Sequence, residues 1–190
     1  MSGRADRILQ GILRLAMLRA DGMGQFGDSP QAFLTSLAPL VALPAVGGLL
    51  GVLSGSGPDE LAGLLGALVG LLAPPVLSEM MARLFGRQPE WLRYATAFNW
   101  SRWAMLLALG VGLMLMATLV TVGFAEQEAV AVGLAALLVY GVVLDVFVAR
   151  VGLRLVWWRA ALLVITVNGG SALLVIVPRL LAGLPEGAAS

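Results

Sequence analysis

The sequence predicts an all-α fold: a polytopic transmembrane bundle of five helices preceded by a short amphipathic interfacial helix. Three observations carry that reading. Of 190 residues, 59% are hydrophobic and 12% charged, with a mean hydropathy of +0.94, whereas a soluble domain is about 45–50% apolar and about 25% charged. Five apolar stretches each reach the roughly 20 residues needed to cross about 30 Å of hydrocarbon. Eleven of the twelve arginines fall into three clusters, and two acidic segments without basic residues alternate with them.

The elements follow in order. At 100° per residue, Ile8, Leu9, Ile12, Leu13 and Ala16 share one side of a first helix, and Arg4, Arg7 and Arg14 share the other. Such a segment either lies in the membrane interface or packs under the bundle. Met17, Leu18 and Arg19 break the pattern, so the amphipathic part is short. Arg14 and Arg19 also interrupt the apolar run, so it does not read as a typical signal peptide. Residues 1–28 form this N-terminal segment, 29–182 the membrane domain and 183–190 a short tail.

Asp28-Ser29-Pro30 is a helix start, with Ser29 as N-cap and Pro30 in the first turn. The first span runs from about 33 to 53 and ends at Ser54-Gly55-Ser56-Gly57-Pro58. Asp59 and Glu60 suit the dipole at the start of the second, about 60–85. A polar, aromatic and basic segment, Gly86 to about Arg102, precedes the third span at about 103–122. The fourth is expected over about 129–149 and the fifth over about 160–181, before Pro185-Glu186-Gly187. Trp91, Tyr94, Trp100, Trp103, Trp157 and Trp158 are expected at headgroup level. Long continuous apolar runs exclude a β-barrel.

Arg4, Arg7, Arg14 and Arg19 precede the first span. Arg83, Arg87, Arg93 and Arg102 surround the gap between the second and third, and Arg150, Arg154 and Arg159 fill the gap between the fourth and fifth. Asp59, Glu60, Glu126 and Glu128 occupy the alternate gaps. Arginine collects on the cytoplasmic side, so the expected topology has the N-terminus in the cytoplasm and the C-terminus in the periplasm. The absence of lysine amid abundant Ala, Gly, Leu and Arg points to GC-rich coding, hence to a bacterial inner membrane.

Chemistry is sparse. Without cysteine, histidine or lysine, thiolate and imidazole ligands, the commonest general base and Schiff-base chemistry are excluded. No nucleophile elbow, phosphate loop or dinucleotide fingerprint is present. The chain is therefore expected to be non-enzymatic, with no cofactor, no metal and no nucleic-acid partner.

Four polar residues reach into the spans: Glu79, Asp145, Asn168 and Ser171. Glu79 stands four before Arg83, and Asp145 about one turn before Arg150. Each carboxylate either neutralises its arginine or lines a cation path. Asn168-Gly169-Gly170-Ser171 either permits close packing or breaks the fifth helix at a binding site, as in transporters. Pro39, Pro44, Pro74 and Pro75 should bend the first two spans. Gly47 and Gly51, continued by Gly55, and Gly66 and Gly70, near Gly63, mark faces for close approach, and the two helices should form a hairpin. Arg93, Asn99, Trp100, Arg102 and Trp103 form either an interfacial anchor or a contact surface for lipid headgroups or a partner. Asn99 needs a hydrogen-bond partner at such a place.

The pattern Arg19-Ala20-Asp21-Gly22 with Phe26, Ser29 and Phe33-Leu34-Thr35-Ser36-Leu37, followed by Tyr94, Phe98, Asn99 and Trp100, resembles small uncharacterised alphaproteobacterial integral membrane proteins. These are similar in layout to the Yip1 superfamily. The resemblance implies five spans, a cytoplasmic N-terminus and no catalytic residue. Two functions remain: a scaffold or accessory subunit acting through membrane lipids, a partner membrane protein or a homo-oligomer, and a small transporter or channel.

Overall fold

In the computed structural model, residues 2–53 and 58–182 are described. The predicted loop 54–57 with Gly55, the side chains of Asp59 and Glu60, and the tail with Pro185-Glu186-Gly187 lie outside the described residues. Six α-helices and one 3-10 segment, and no strand, make up the described chain. Helix α1 is Ser2–Ala16, followed by the 3-10 segment Ala20–Gln25. The five long helices are α2 (Pro30–Leu53), α3 (Pro58–Leu84), α4 (Gln88–Thr121), α5 (Glu126–Gly152) and α6 (Trp157–Ala182). Each of these five is long and apolar enough to cross a membrane.

Their outward faces confirm the class. Leu43, Leu50 and Leu53 of α2, Val111 and Met114 of α4, and Leu138 of α5 are all more than 60% exposed. Apolar surface of this extent is stable only against hydrocarbon.

Packing is concentrated at the arginine-rich end. One buried cluster joins Ile12 and Leu15 of α1, Met23 and Phe26, Tyr94 and Phe98 of α4, Leu144 and Val148 of α5, Leu153, and Leu163 and Val167 of α6. Helix α1 is part of this core. Its buried face is Ile8, Gly11, Ile12 and Leu15, spaced as one helical stripe, and Gly11 meets the Phe26 ring. Leu9, Leu13 and Met17 point outward. The apolar side expected from periodicity is thus divided between the bundle and its surroundings. Asp21 accepts from both Arg14 (3.1 Å) and Arg19 (3.2 Å) and ties the 3-10 segment to α1. Gly22 lies so near Arg14 that a Cβ would stand 2.8 Å from the Arg14 Cβ.

Several helices end in the same way. The Arg87 amide donates to Ala82 (2.7 Å), and Phe124 to Leu119 (3.1 Å), with Gly86 and Gly123 at positive φ, the backbone that glycine supplies without strain. Leu18 and Arg154 adopt the same conformation after α1 and α5.

One expectation about helices is corrected, and one pair of alternatives is decided. The segment 86–102 is not a connection: α4 begins at Gln88, and its first turns bury Tyr94, Ala95, Thr96, Ala97, Phe98, Asn99 and Ser101. At about 1.5 Å per residue a helix of this length outreaches the hydrocarbon, so its first part serves as core beneath α1. The fifth long helix is also not broken, since α6 is helical through Asn168-Gly169-Gly170-Ser171. There Gly170 receives Leu77 of α3, whose Cδ1 would lie 2.8 Å from an added Cβ.

The α2–α3 hairpin forms as expected, with Gly48 in place of Gly47 against α3. Nothing lies within 4 Å of a Cβ at Gly47, whereas Gly48 meets Leu64 of α3. Gly51 and Gly66 are half-buried, and Gly70 faces Val175 of α6 rather than α2. The α4–α5 seam uses glycines too: Gly112 receives Leu137, Gly133 touches Met116, and Gly141 receives Met105.

A close approach of α5 to the backbone of α4 gives a test. A Cβ at Gly152 would stand 3.0 Å from the Tyr94 Cβ and 3.2 Å from its Cα. Gly152→Val is expected to destabilise the detergent-solubilised protein by about 1–3 kcal/mol, read as a lowered thermal midpoint. Gly47→Ala, with open space around it, is expected to leave the midpoint unchanged or raise it. Equal effects of the two substitutions would contradict the packing described.

Candidate functional site: a polar cavity between α4 and α6

Helices α4 and α6 make no backbone approach to each other among the described residues, although each packs on α3 and on α5. The gap between them is a cavity of about 440 Å³, within the usual range of ligand pockets. Asn99, Arg102 and Phe98 of α4 line it, with Asn168 and Ser171 of α6, Gly70, Leu71 and Pro74 of α3, and Leu40 of α2. Along α3, Pro74 and Gly70 lie roughly 14 and 20 Å from Arg83 at 1.5 Å per residue, so the cavity reaches well into the apolar layer.

Its polar wall is a chain of contacts joining three helices. The Asp145 side chain of α5 stands behind the cavity, 11% exposed, and its Oδ2 lies 4.0 Å from Nη1 of Arg102. The same oxygen accepts a hydrogen bond from Asn168 Nδ2 at 3.4 Å. Arg102, with a side chain 39% exposed, also stands 4.3 Å above the Phe98 ring, a stabilising arrangement for a guanidinium. One turn earlier, Asn99 Nδ2 donates to Ser36 Oγ of α2 at 3.0 Å, and Ser36 in turn donates to the Phe33 carbonyl. Ser171 Oγ, Tyr94 Oη and Trp103 Nε1 are buried without a hydrogen-bond partner among the described residues. Buried polar atoms of this kind are few in folded proteins and mark places where water or a ligand belongs.

The polar residues singled out in the sequence thus separate into two groups. Asn168 and Ser171 share the cavity with Asn99 and Arg102, and Asp145 adjoins it. Its partner is Arg102 of α4, not Arg150, because α5 turns that carboxylate inward while Arg150 is exposed. Glu79 is elsewhere. It pairs with Arg83 as its spacing implies, and also accepts from Gln88 at 3.3 Å, holding the start of α4 to the end of α3.

The expected lipid- or partner-facing surface is likewise divided. Arg93 is turned to Asp28, with Nη2 donating to Oδ2 at 2.7 Å. Trp100 borders a shallow polar hollow with Arg7, Gln25, Ser29 and Thr35. Trp103 is half-buried against the core, and Tyr94, expected at headgroup level, is 1% exposed. Trp157 and Trp158 are the outward-facing pair, 70% and 50% exposed. Ser36 was missed by sequence reasoning, and its signal was Asn99, which needed a partner. A second groove, of about 420 Å³ between α1, α4 and α5, is almost wholly apolar. The Tyr140 hydroxyl at its edge donates to the Ala16 carbonyl at 2.8 Å. Among the described residues no cluster of acidic side chains could hold a metal ion.

These features define a multi-pass membrane protein with an open, part-polar cavity between α4 and α6. No family model, curated protein or solved structure matches the chain.

The Asp28–Arg93 contact outside the spans gives a pH signature. The hydrogen bond from Arg93, then the Asp28 backbone and the Arg93 charge, hold the Asp28 carboxyl below its ordinary value of 3.8. A depressed folded-state value means a contribution present above the unfolded value and lost as pH falls through the folded one. The thermal midpoint of the wild type is therefore expected to fall more steeply below about pH 4 than that of Asp28→Asn. Parallel acid limbs in a pH series would refute the contact.

Proposed function

We propose that this chain is a non-enzymatic protein of the bacterial inner membrane that acts by holding a membrane lipid in the cavity between α4 and α6. In this reading the arginine-rich end faces the cytoplasm, and the likeness in layout to the Yip1 superfamily extends no further than topology. The observation that carries it is the lining of the cavity. Polar groups come from α4 and α6 (Asn99, Arg102, Asn168, Ser171) and apolar ones from α2 and α3 (Leu40, Leu71, Pro74), the mixed chemistry that suits an amphiphile. The arginine distribution supports the orientation.

A small-solute transporter is the second reading, favoured by the meeting of Asp145, Asn168 and Ser171 at one place. It is weakened by the continuity of α6 and by what lies further on. Beyond Ser171, residues 172–178 of α6 are apolar, as are residues 61–73 of α3, so these two helices carry no polar side chain from the cavity toward the opposite end.

Native mass spectrometry of the protein extracted in mild detergent from its own membrane is expected to show a retained lipid, lost in Ser171→Leu, which fills the cavity. A bare protein that supports solute flux in liposomes would reverse the order of the two readings. A stoichiometric second protein would make the chain an accessory subunit. Because the chain has no cysteine, single cysteines at Gly86 and Phe124 report orientation directly. The impermeant reagent is expected to label position 124 from the periplasm and position 86 only after permeabilisation. The opposite labelling would invert the topology.

A further inference from the structure

We infer that the cavity selects its occupant by a phosphoryl group, and that Arg102 is the residue that grips it. The inference rests on the lipid-holding reading above and names the ligand chemistry.

The guanidinium of Arg102 is the one basic group lining the cavity, and its needs are unmet by the protein. Asp145 is 4.0 Å from Nη1, at the outer limit of an ion pair, and the Phe98 ring beneath it offers a π face but no lone pair. No hydrogen bond from Arg102 to an acceptor is formed among the described residues. A guanidinium carries five N–H donors in a planar fork that matches phosphate oxygens two at a time. At the edge of an apolar layer, donors of this kind favour an anionic acceptor that fits the fork.

The surroundings favour an anion. Asp145, 11% exposed, stands behind Arg102, which is 39% exposed, so the cation rather than the carboxylate is presented to the occupant. Asn168 takes up part of the Asp145 charge by donating to the same oxygen, which leaves Arg102 less fully neutralised. Ser171 Oγ, buried and without a partner, supplies a further donor from the facing helix.

The cavity also identifies the source of the phosphoryl group. Leu40, Leu71 and Pro74 complete its lining, and Leu43, Leu72 and Val76 continue an apolar surface outward on the same two helices. Free phosphate would gain nothing from these contacts, whereas the acyl chains of a phospholipid would be covered by them. Asp145 and Asn168 act as positioning residues that hold the guanidinium toward the cavity, and Arg102 and Ser171 make the contact.

The test compares three probes on the purified full-length chain in a neutral detergent, with binding followed by native mass spectrometry and by thermal shift. They are dioleoyl phosphatidylglycerol, dioleoylglycerol with the same chains and no phosphate, and inorganic phosphate. The expected result is binding of the phospholipid alone. Arg102→Gln is expected to weaken it by about tenfold or more, a loss on the scale of one charge-assisted contact, and Arg102→Lys, which keeps charge without the fork, by less. Equal binding of dioleoylglycerol would overturn the phosphoryl assignment and leave lipid holding intact. Binding of inorganic phosphate as tight as that of the phospholipid would overturn the lipid source. Failure of both lipids would remove the inference together with the reading beneath it. The comparison of lipids needs only the wild type, so a variant that does not fold leaves the test decisive. Ser171→Ala, which removes one hydroxyl, gives a second check and is expected to weaken the phospholipid while leaving the thermal midpoint of the lipid-free protein in place.

Discussion

A charged guanidinium at the edge of a bundle whose outer surface faces hydrocarbon draws polar groups from the neighbouring helices toward it. Arg102 does so in this chain. Its counter-charge comes from α5, the amide that shares Asp145 comes from α6, and the ring beneath the guanidinium comes from its own helix. One turn away, Asn99 makes the same demand and is met by Ser36 of α2. Four of the five long helices are thereby joined through polar contacts on one side of α4. The α4–α6 gap is flanked by α3 and α5, each of which packs on both helices, and Asp145 of α5 links Arg102 to Asn168 across it.

The two ends of the bundle are built differently. At the arginine-rich end, α1 and the 3-10 segment cover α4 and α5, and a single cluster of buried side chains joins them to α6. Toward the other end the spans meet along narrow seams, where Gly48, Gly112, Gly133 and Gly170 let a neighbouring side chain approach the backbone. The hydrophobic effect gives little incentive to pack apolar side chains on each other when lipid is as apolar as leucine. Contact there depends on van der Waals fit, which glycine improves. Stability should accordingly be graded along the bundle axis, highest beneath α1.

That gradient bears on function. The cavity lies at the boundary between the well-packed end and the loosely seamed one. Its polar wall is carried by the firm side, through Asn99 and Arg102, whereas the apolar wall belongs to α2 and α3, which take little part in the buried cluster.

Sequence alone determined the five spans, the division of the ends by arginine, the α2–α3 hairpin and the Glu79–Arg83 pair, because hydropathy, charge segregation and four-residue spacing are local quantities. It also showed that Asn99, Asp145, Asn168 and Ser171 were polar residues in costly places. Which of them meet is set by helix rotation and by contacts between residues up to 63 positions apart, and the apolar faces of these spans are nearly uniform around the axis and say little about rotation. For the same reason Gly47 and Gly48 were interchangeable in sequence, and Asp145 looked nearest to Arg150. The stretch Tyr94–Trp103 read as an interfacial connection because its residues are polar and aromatic. Only the tertiary structure turned it into the buried half of α4, since α1 and the 3-10 segment fold over it and supply the apolar cover that its own composition does not announce.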